Sequence, residues 1–156
     1  MGLAEEIVAL LSEKKYKLTT AESCTGGMIA SELVNVAGIS EFYEEGYITY
    51  ANHAKSKLLG VDEEVLKTKG AVSKEVAYMM AEGAAKAAGA DVSVAVTGIA
   101  GPGGGTKEKP VGLVYIGCYV SGEVTVTENH FDGDRLAVRR QTTEKALKQL
   151  LDCMKK

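Results

Sequence analysis

Two β-rich runs, residues 111–120 and 123–131, are separated by nothing but Ser121-Gly122. So short a connection makes a tight hairpin, and the two runs must pair antiparallel. Upstream the chain alternates in period. Residues 3–14, 26–36, 53–59, 63–68 and 74–89 read as helices, and residues 17–22, 43–51 and Val92-Ser-Val-Ala-Val-Thr97 read as strands. A last helix over 135–153 follows Asp134, which reads as its N-cap, and carries Leu147, Leu150, Leu151 and Met154 in one stripe. Helices before, between and after strands, with one obligatory antiparallel pair, predict an α/β/α sandwich: a mixed β-sheet covered by helices on both faces. With 156 residues, 46% of them apolar, one domain over 1–156 has enough chain for a real core.

Charge and cysteine content narrow the function classes. A formal net charge of −3 argues against a duplex-binding face, so no nucleic-acid partner is expected. No stretch approaches the run of about 18 apolar residues that a membrane span needs, and the N-terminus lacks a basic start and an apolar core. No membrane partner is expected, and a cytoplasmic location is. The three cysteines, Cys24, Cys118 and Cys153, are far apart and form no C-x-x-C pair, which fits neither a disulfide framework nor a zinc site. A reducing compartment suits them.

Chemistry concentrates in a few segments. Thr20-Ala-Glu-Ser-Cys-Thr-Gly-Gly27 stacks hydroxyls, a thiol and a carboxylate on a glycine turn between a strand and a helix. It reads either as a ligand-facing turn or as a plain helix start with Ser23 or Thr25 as N-cap. Cys24, at a helix N-terminus, is a candidate thiolate nucleophile or a small packing residue. Thr97-Gly-Ile-Ala-Gly-Pro-Gly-Gly-Gly-Thr106 follows a strand but meets neither the P-loop nor the dinucleotide pattern, and so cradles an anion or simply connects two strands. All three arginines, Arg135, Arg139 and Arg140, open the last helix. Arg135 and Arg139 share a face that can grip a phosphate, while Arg140 reads as a solvated residue. Ser12-Glu-Lys-Lys15 matches S-x-x-K but sits at the polar end of a helix and is set aside, and no G-x-S-x-G elbow occurs. Ser40 in a loop, with Tyr50 and Lys55 around a strand-to-helix turn, can make a Ser-Lys-Tyr site, provided that Lys55 is buried enough to act as a base. The other reading of Lys55 is an ordinary surface lysine.

Glu22-Ser-Cys-Thr-Gly-Gly27, Gly38-Ile-Ser40, Thr49-Tyr-Ala-Asn52 with Lys55, Leu58-Leu-Gly-Val61, Gly70-Ala-Val-Ser73, Met80-Ala-Glu-Gly83, Thr97-Gly-Ile-Ala-Gly-Pro102 and Lys109-Pro-Val-Gly112 together resemble the CinA C-terminal domain family. The matching motifs run in order along nearly the whole chain. The resemblance implies a nicotinamide-nucleotide amidase, which hydrolyses the carboxamide of nicotinamide mononucleotide to nicotinate mononucleotide and ammonia in pyridine nucleotide salvage. It also implies the stand-alone form, since larger members carry a molybdopterin-binding-like domain for which this chain has no room. Carried onto this sequence, the catalytic serine falls on Ser40, with Lys55 as base and Tyr50 as its hydrogen-bonding partner. Ser23, Thr25, Gly26, Thr97, Gly98 and Gly101 are expected to line the substrate pocket, and Arg135 to hold the phosphate. Ile39 departs from the small residue that the family usually has before that serine, so the loop is expected to be shaped differently. No metal and no cofactor are expected, and the partners are a small nucleotide substrate and further copies of the chain in a homodimer or higher homo-oligomer. The rival readings are a binding module linked to competence or DNA damage, and an amidase acting on a different nucleotide.

Overall fold

The computed structural model describes residues 1–156. Six helices, α1 (Leu3–Lys14), α2 (Met28–Val34), α3 (Asn52–Leu59), α4 (Glu63–Lys69), α5 (Lys74–Ala88) and α6 (Arg135–Lys155), accompany five strands. The strands are β1 (Leu18–Glu22), β2 (Tyr47–Ile48), β3 (Val92–Gly98), β4 (Leu113–Val120) and β5 (Glu123–His130). They form one mixed sheet in the order β2-β1-β3-β4-β5, in which β2, β1 and β3 run parallel and β4 and β5 are antiparallel. The expected hairpin turns at Ser121-Gly122, where both residues have positive φ. No helix is long and apolar enough to cross a membrane.

The strand read over 43–51 is cut to Tyr47–Ile48. Those residues form the ladder with β1, and Tyr43 adds only an isolated bridge to Leu18 at the start of that strand. A β-prone run at the sheet edge extends only as far as its single neighbour can hydrogen-bond it. The helix read from residue 26 begins at Met28, because Gly26 and Gly27 both hold positive φ.

The two faces of the sheet differ in side-chain size. Val92, Val94 and Val96 of β3 and Val114, Ile116 and Cys118 of β4 meet Ile7 and Leu11 of α1, Ile29 and Leu33 of α2, and the Val138, Leu147, Leu150, Leu151 and Met154 stripe of α6 in the larger core. The opposite face offers Ala21 and Ala95 to α3, α4 and α5, whose Leu59, Leu66, Val76, Met80, Ala81 and Ala84 complete a smaller core. Small sheet residues let the alanine-rich α5 settle close. A Cβ on Gly117 would lie 2.7 Å from the Ala77 carbonyl oxygen, and Ser93 donates its hydroxyl to the Ala81 carbonyl at 2.6 Å.

Gly83 lies in the middle of α5, where glycine costs about 1 kcal/mol relative to alanine. A Cβ there would collide with the Leu59 carbonyl oxygen at the end of α3, so the glycine sets how closely α3 packs. Backbone cannot rotate aside as a side chain can. Gly83→Ala is therefore expected to destabilise the fold by about 1–3 kcal/mol in spite of the better helix propensity, read as a lower midpoint of urea unfolding. An unchanged or higher midpoint would show that the α3–α5 contact does not require glycine.

Candidate active site

Connections leave β1 and β3 in opposite directions along the sheet, β1 toward β2 and β3 toward β4. Such a switch point opens a crevice beyond the carboxyl ends of the two strands. Here the crevice is a cavity of about 270 Å³ lined by Ser23 and Cys24 after β1, Lys55 of α3, Thr97 and Gly98 at the end of β3, Ile99 and Ala100 after it, and Arg135 of α6.

The turn after β1 is built on a buried carboxylate. Glu22 is fully buried, and its Oε1 accepts from the Thr25 hydroxyl at 2.5 Å, from Gly27 N–H at 3.2 Å and from Ile29 N–H at 2.9 Å. Its Oε2 accepts from Ala30 N–H at 3.1 Å. Glu22 thus caps the orphan amides of α2 that Ser23 or Thr25 was expected to cap. Arg139 closes the turn from the other side, donating through Nε to the Cys24 carbonyl at 2.9 Å and through an Nη to the Thr25 carbonyl at 3.0 Å. The result is a rigid loop that leaves Ser23 facing the crevice.

Lys55 enters from α3. The residue is 1% exposed, and its Nζ donates to Ser23 Oγ at 3.1 Å, to the Thr49 carbonyl at 2.9 Å and to the Tyr50 carbonyl at 3.3 Å. All three acceptors are uncharged, so burial of the ammonium goes uncompensated by a carboxylate and lowers its pKa below the ordinary lysine value. A buried amine that loses its proton readily, touching a serine hydroxyl, has the makings of a nucleophile and base pair.

The serine in that pair is Ser23, not Ser40. Ser40 is exposed on a single 3-10 turn, Ile39–Glu41, which is tied to the amino end of β1 through Leu18 N–H and the Phe42 carbonyl. Ser23 follows the carboxyl end of the same strand, about 17 Å away along it. The signal that could have found Ser23 is its position directly after a buried strand and before a Gly-Gly turn, the geometry that lifts a nucleophile clear of a sheet.

Other expected site residues divide between pocket and scaffold. Tyr50 meets Lys55 through its carbonyl, while its hydroxyl, on a side chain at the cavity rim, accepts from Arg135 at 2.9 Å. Arg135 also donates to the Gly101 carbonyl at 2.8 Å, so both arms of its guanidinium reach across the cavity mouth. Thr97, Gly98 and Gly101 line the cavity, although the Thr97 hydroxyl is turned to the Ala71 carbonyl at 2.9 Å. Thr25 and Gly26 do not line it: the Thr25 hydroxyl is bound to Glu22, and Gly26 supplies a left-handed turn beside Arg139. Arg139 is taken up by the Cys24 and Thr25 carbonyls, which removes it from the expected two-arginine phosphate grip. Cys24 is buried, and burial pushes its thiol up to about 11, against a role as thiolate.

The model of the CinA C-terminal domain matches residues 1–154. The chain belongs to the CinA C-terminal domain family. A Clostridium beijerinckii relative that carries a competence-damage inducible name is 58% identical over 147 residues, 94% of this chain and 36% of that protein. A CinA-like protein of Kosmotoga olearia is 52% identical over 146 residues, 94% of this chain and 35% of its own. The chain thus spans about a third of the length of these curated relatives. Among solved structures, the competence/damage inducible protein CihA from Agrobacterium tumefaciens superposes with a TM-score of 0.94 at 44% identity, covering 99% of this chain and 94% of that one. A CinA superfamily protein from Escherichia coli superposes with a TM-score of 0.94 at 40% identity, covering 97% and 88% respectively. The single α/β domain with its mixed five-stranded sheet is therefore the fold of the CinA superfamily.

Glu22→Gln provides the test of the buried cap. The variant turns an NH2 donor toward amides that need an acceptor, and is expected to lose about 2–3 kcal/mol of stability and to loosen the Ser23 turn. The check is a urea midpoint together with hydrogen exchange of the Gly27, Ile29 and Ala30 amides, which is expected to speed up. Unchanged exchange would mean that Glu22 does not hold the turn.

Proposed function

We propose that this domain is a serine amidohydrolase that converts nicotinamide mononucleotide to nicotinate mononucleotide and ammonia, with Ser23 as nucleophile and Lys55 as base. The observation that carries this reading is the contact of 3.1 Å between the Ser23 hydroxyl and a buried lysine amine with no charged partner at the floor of the cavity. The substrate comes from the family resemblance. Arg135 at the cavity mouth supports an anionic substrate, and a single fork is enough to grip one phosphate.

In this mechanism Ser23 Oγ attacks the carboxamide carbon while neutral Lys55 takes the hydroxyl proton. The resulting ammonium then hands that proton to the departing amide nitrogen, which leaves as ammonia, and an acyl-serine remains. Water, deprotonated by the same amine, attacks the acyl carbon, and the ammonium so formed returns the proton to Ser23 Oγ as the C–O bond breaks and the carboxylate leaves. The Thr49 and Tyr50 carbonyls hold the Lys55 amine toward Ser23 throughout. Cys24 and Thr25 N–H donate to no oxygen in the structure and directly follow Ser23, so they are the backbone donors offered to the oxyanion. Tyr50 orients Arg135 through its hydroxyl instead of relaying a proton.

Ammonia release from nicotinamide mononucleotide tests the reading. Ser23→Ala and Lys55→Ala are expected to lose at least about 10³-fold in kcat/KM, Ser40→Ala to keep full activity, and a chelator to change nothing. Arg135→Ala is expected to raise KM by about 10–100-fold with a smaller effect on kcat, as fits the loss of a charge-assisted hydrogen bond. Because the base works unprotonated, kcat/KM should rise with pH through the lowered Lys55 pKa and then level off. Loss of activity in Ser40→Ala with Ser23→Ala unimpaired would overturn the assignment. A folded but silent parent protein would overturn the substrate.

A further inference from the structure

One cluster of reactive side chains lies outside the site. Cys118 of β4 faces α6 beside Val114 and Ile116, and its register partner on β5 is Thr125. Gln149 and Cys153, four residues apart, bring one face of α6 over this pair. The Gln149 side chain donates to the Ile116 carbonyl at 3.0 Å and to the Thr125 carbonyl at 3.3 Å, which fixes the helix against the hairpin. Cys118 on β4 and Cys153 on α6 therefore both flank Thr125, and Cys153 and Thr125 line one cavity.

The two sulfurs differ in access. Cys118 is buried at 1% exposure, whereas Cys153 is half-buried and opens onto a cavity of about 300 Å³ lined also by Lys14, Glu123 and Lys156. They differ in charge as well. The neighbouring Cys118 and then Thr125 outweigh partial burial and draw the Cys153 thiol down to about 6, with Lys156 helping and Asp152 opposing. Burial holds the Cys118 proton well above the ordinary value. The pair thus sets a half-buried thiol whose proton is held loosely beside a buried thiol that keeps its own. This is the division of labour between an attacking and a resolving cysteine. The amidase chemistry uses neither residue. Cys153 lies 18 residues beyond Arg135 on α6, about 27 Å along the helix.

We propose that Cys153 and Cys118 form a peroxide-responsive dithiol that closes into a disulfide between β4 and the last turns of α6. The Cys153 thiolate attacks one oxygen of a hydroperoxide, the O–O bond breaks, and the released oxide takes up a proton to leave as water or alcohol. Cys153 is then a sulfenic acid. The Cys118 sulfur displaces its hydroxyl, which leaves as water with the Cys118 proton. The net change oxidises two thiols to one disulfide and reduces one peroxide. Cys24, whose thiol burial holds at about 11, takes no part.

The test treats the reduced full chain with hydrogen peroxide, quenches with an alkylating agent in denaturant and weighs the peptides. The expected product is one cross-linked pair containing Cys118 and Cys153, lighter by two hydrogens, reversed by dithiothreitol, with Cys24 fully alkylated. The oxidation rate should fall about tenfold between pH 7 and pH 5 as the Cys153 thiolate is protonated. In Cys118→Ser the same treatment should leave a Cys153 sulfenic acid that dimedone captures, and in Cys153→Ser Cys118 should stay reduced. Full alkylation of all three thiols in the parent protein after peroxide, oxidation of Cys24 as fast as Cys153, or a cross-link only between chains would each overturn the proposal.

Discussion

The site depends on a carboxylate that does not line its cavity. Glu22 closes the end of β1, and its two oxygens gather the Thr25 hydroxyl and the Gly27, Ile29 and Ala30 amides, so that strand, turn and helix are held by one side chain. Its carbonyl also receives Thr49 N–H at 2.9 Å, from the segment whose carbonyls hold Lys55. One residue thus fixes the serine through its side chain and the lysine through its backbone. A buried carboxylate is costly unless every lone pair is answered, and here helix amides and a hydroxyl answer it.

The arrangement sets a second buried ionisable group near the first. Lys55 is buried among neutral oxygens, and that burial lowers its pKa, the direction a base needs. A carboxylate beside it would raise its proton affinity and spoil it for that role. The Glu22 oxygens turn to the Thr25 hydroxyl and the α2 amides, and none of them is hydrogen-bonded to the Lys55 amine. The fold separates the two ionisable groups by directing one to a helix end and the other to a pair of carbonyls.

Periodicity encoded the larger part of the architecture. The Ser121-Gly122 hairpin, the α6 stripe and the alternation of helix and strand are local patterns, and each survives as an element of the structure. Two features were not local. The α2 cap comes from Glu22, six residues before the helix begins, outside the window in which Ser23 or Thr25 would act. The partner of Lys55 depends on which end of β1 a serine occupies. Ser23 and Ser40 both belong to motifs that the family resemblance singled out, and spacing along the chain does not say which lies across from α3. Arg135 and Arg139 share a helix face as their spacing requires, but the hydrogen bonds that send one to the cavity mouth and the other to the Ser23 turn belong to tertiary structure.

The 21 residues of α6 join two opposite ends of the molecule. Its first turns supply Arg135 to the cavity and Arg139 to the Ser23 turn, while its last turns lay Gln149 and Cys153 on the hairpin. A helix is stiff along its axis, so a disturbance at one end could reach the other only as a rigid slide. Side-chain bonds to backbone carbonyls oppose that slide at both ends, at Cys24 and Thr25 on one side and at Ile116 and Thr125 on the other. The helix is moored twice, so the place of Arg135 at the cavity mouth is tied to the far end of the hairpin through one stiff element.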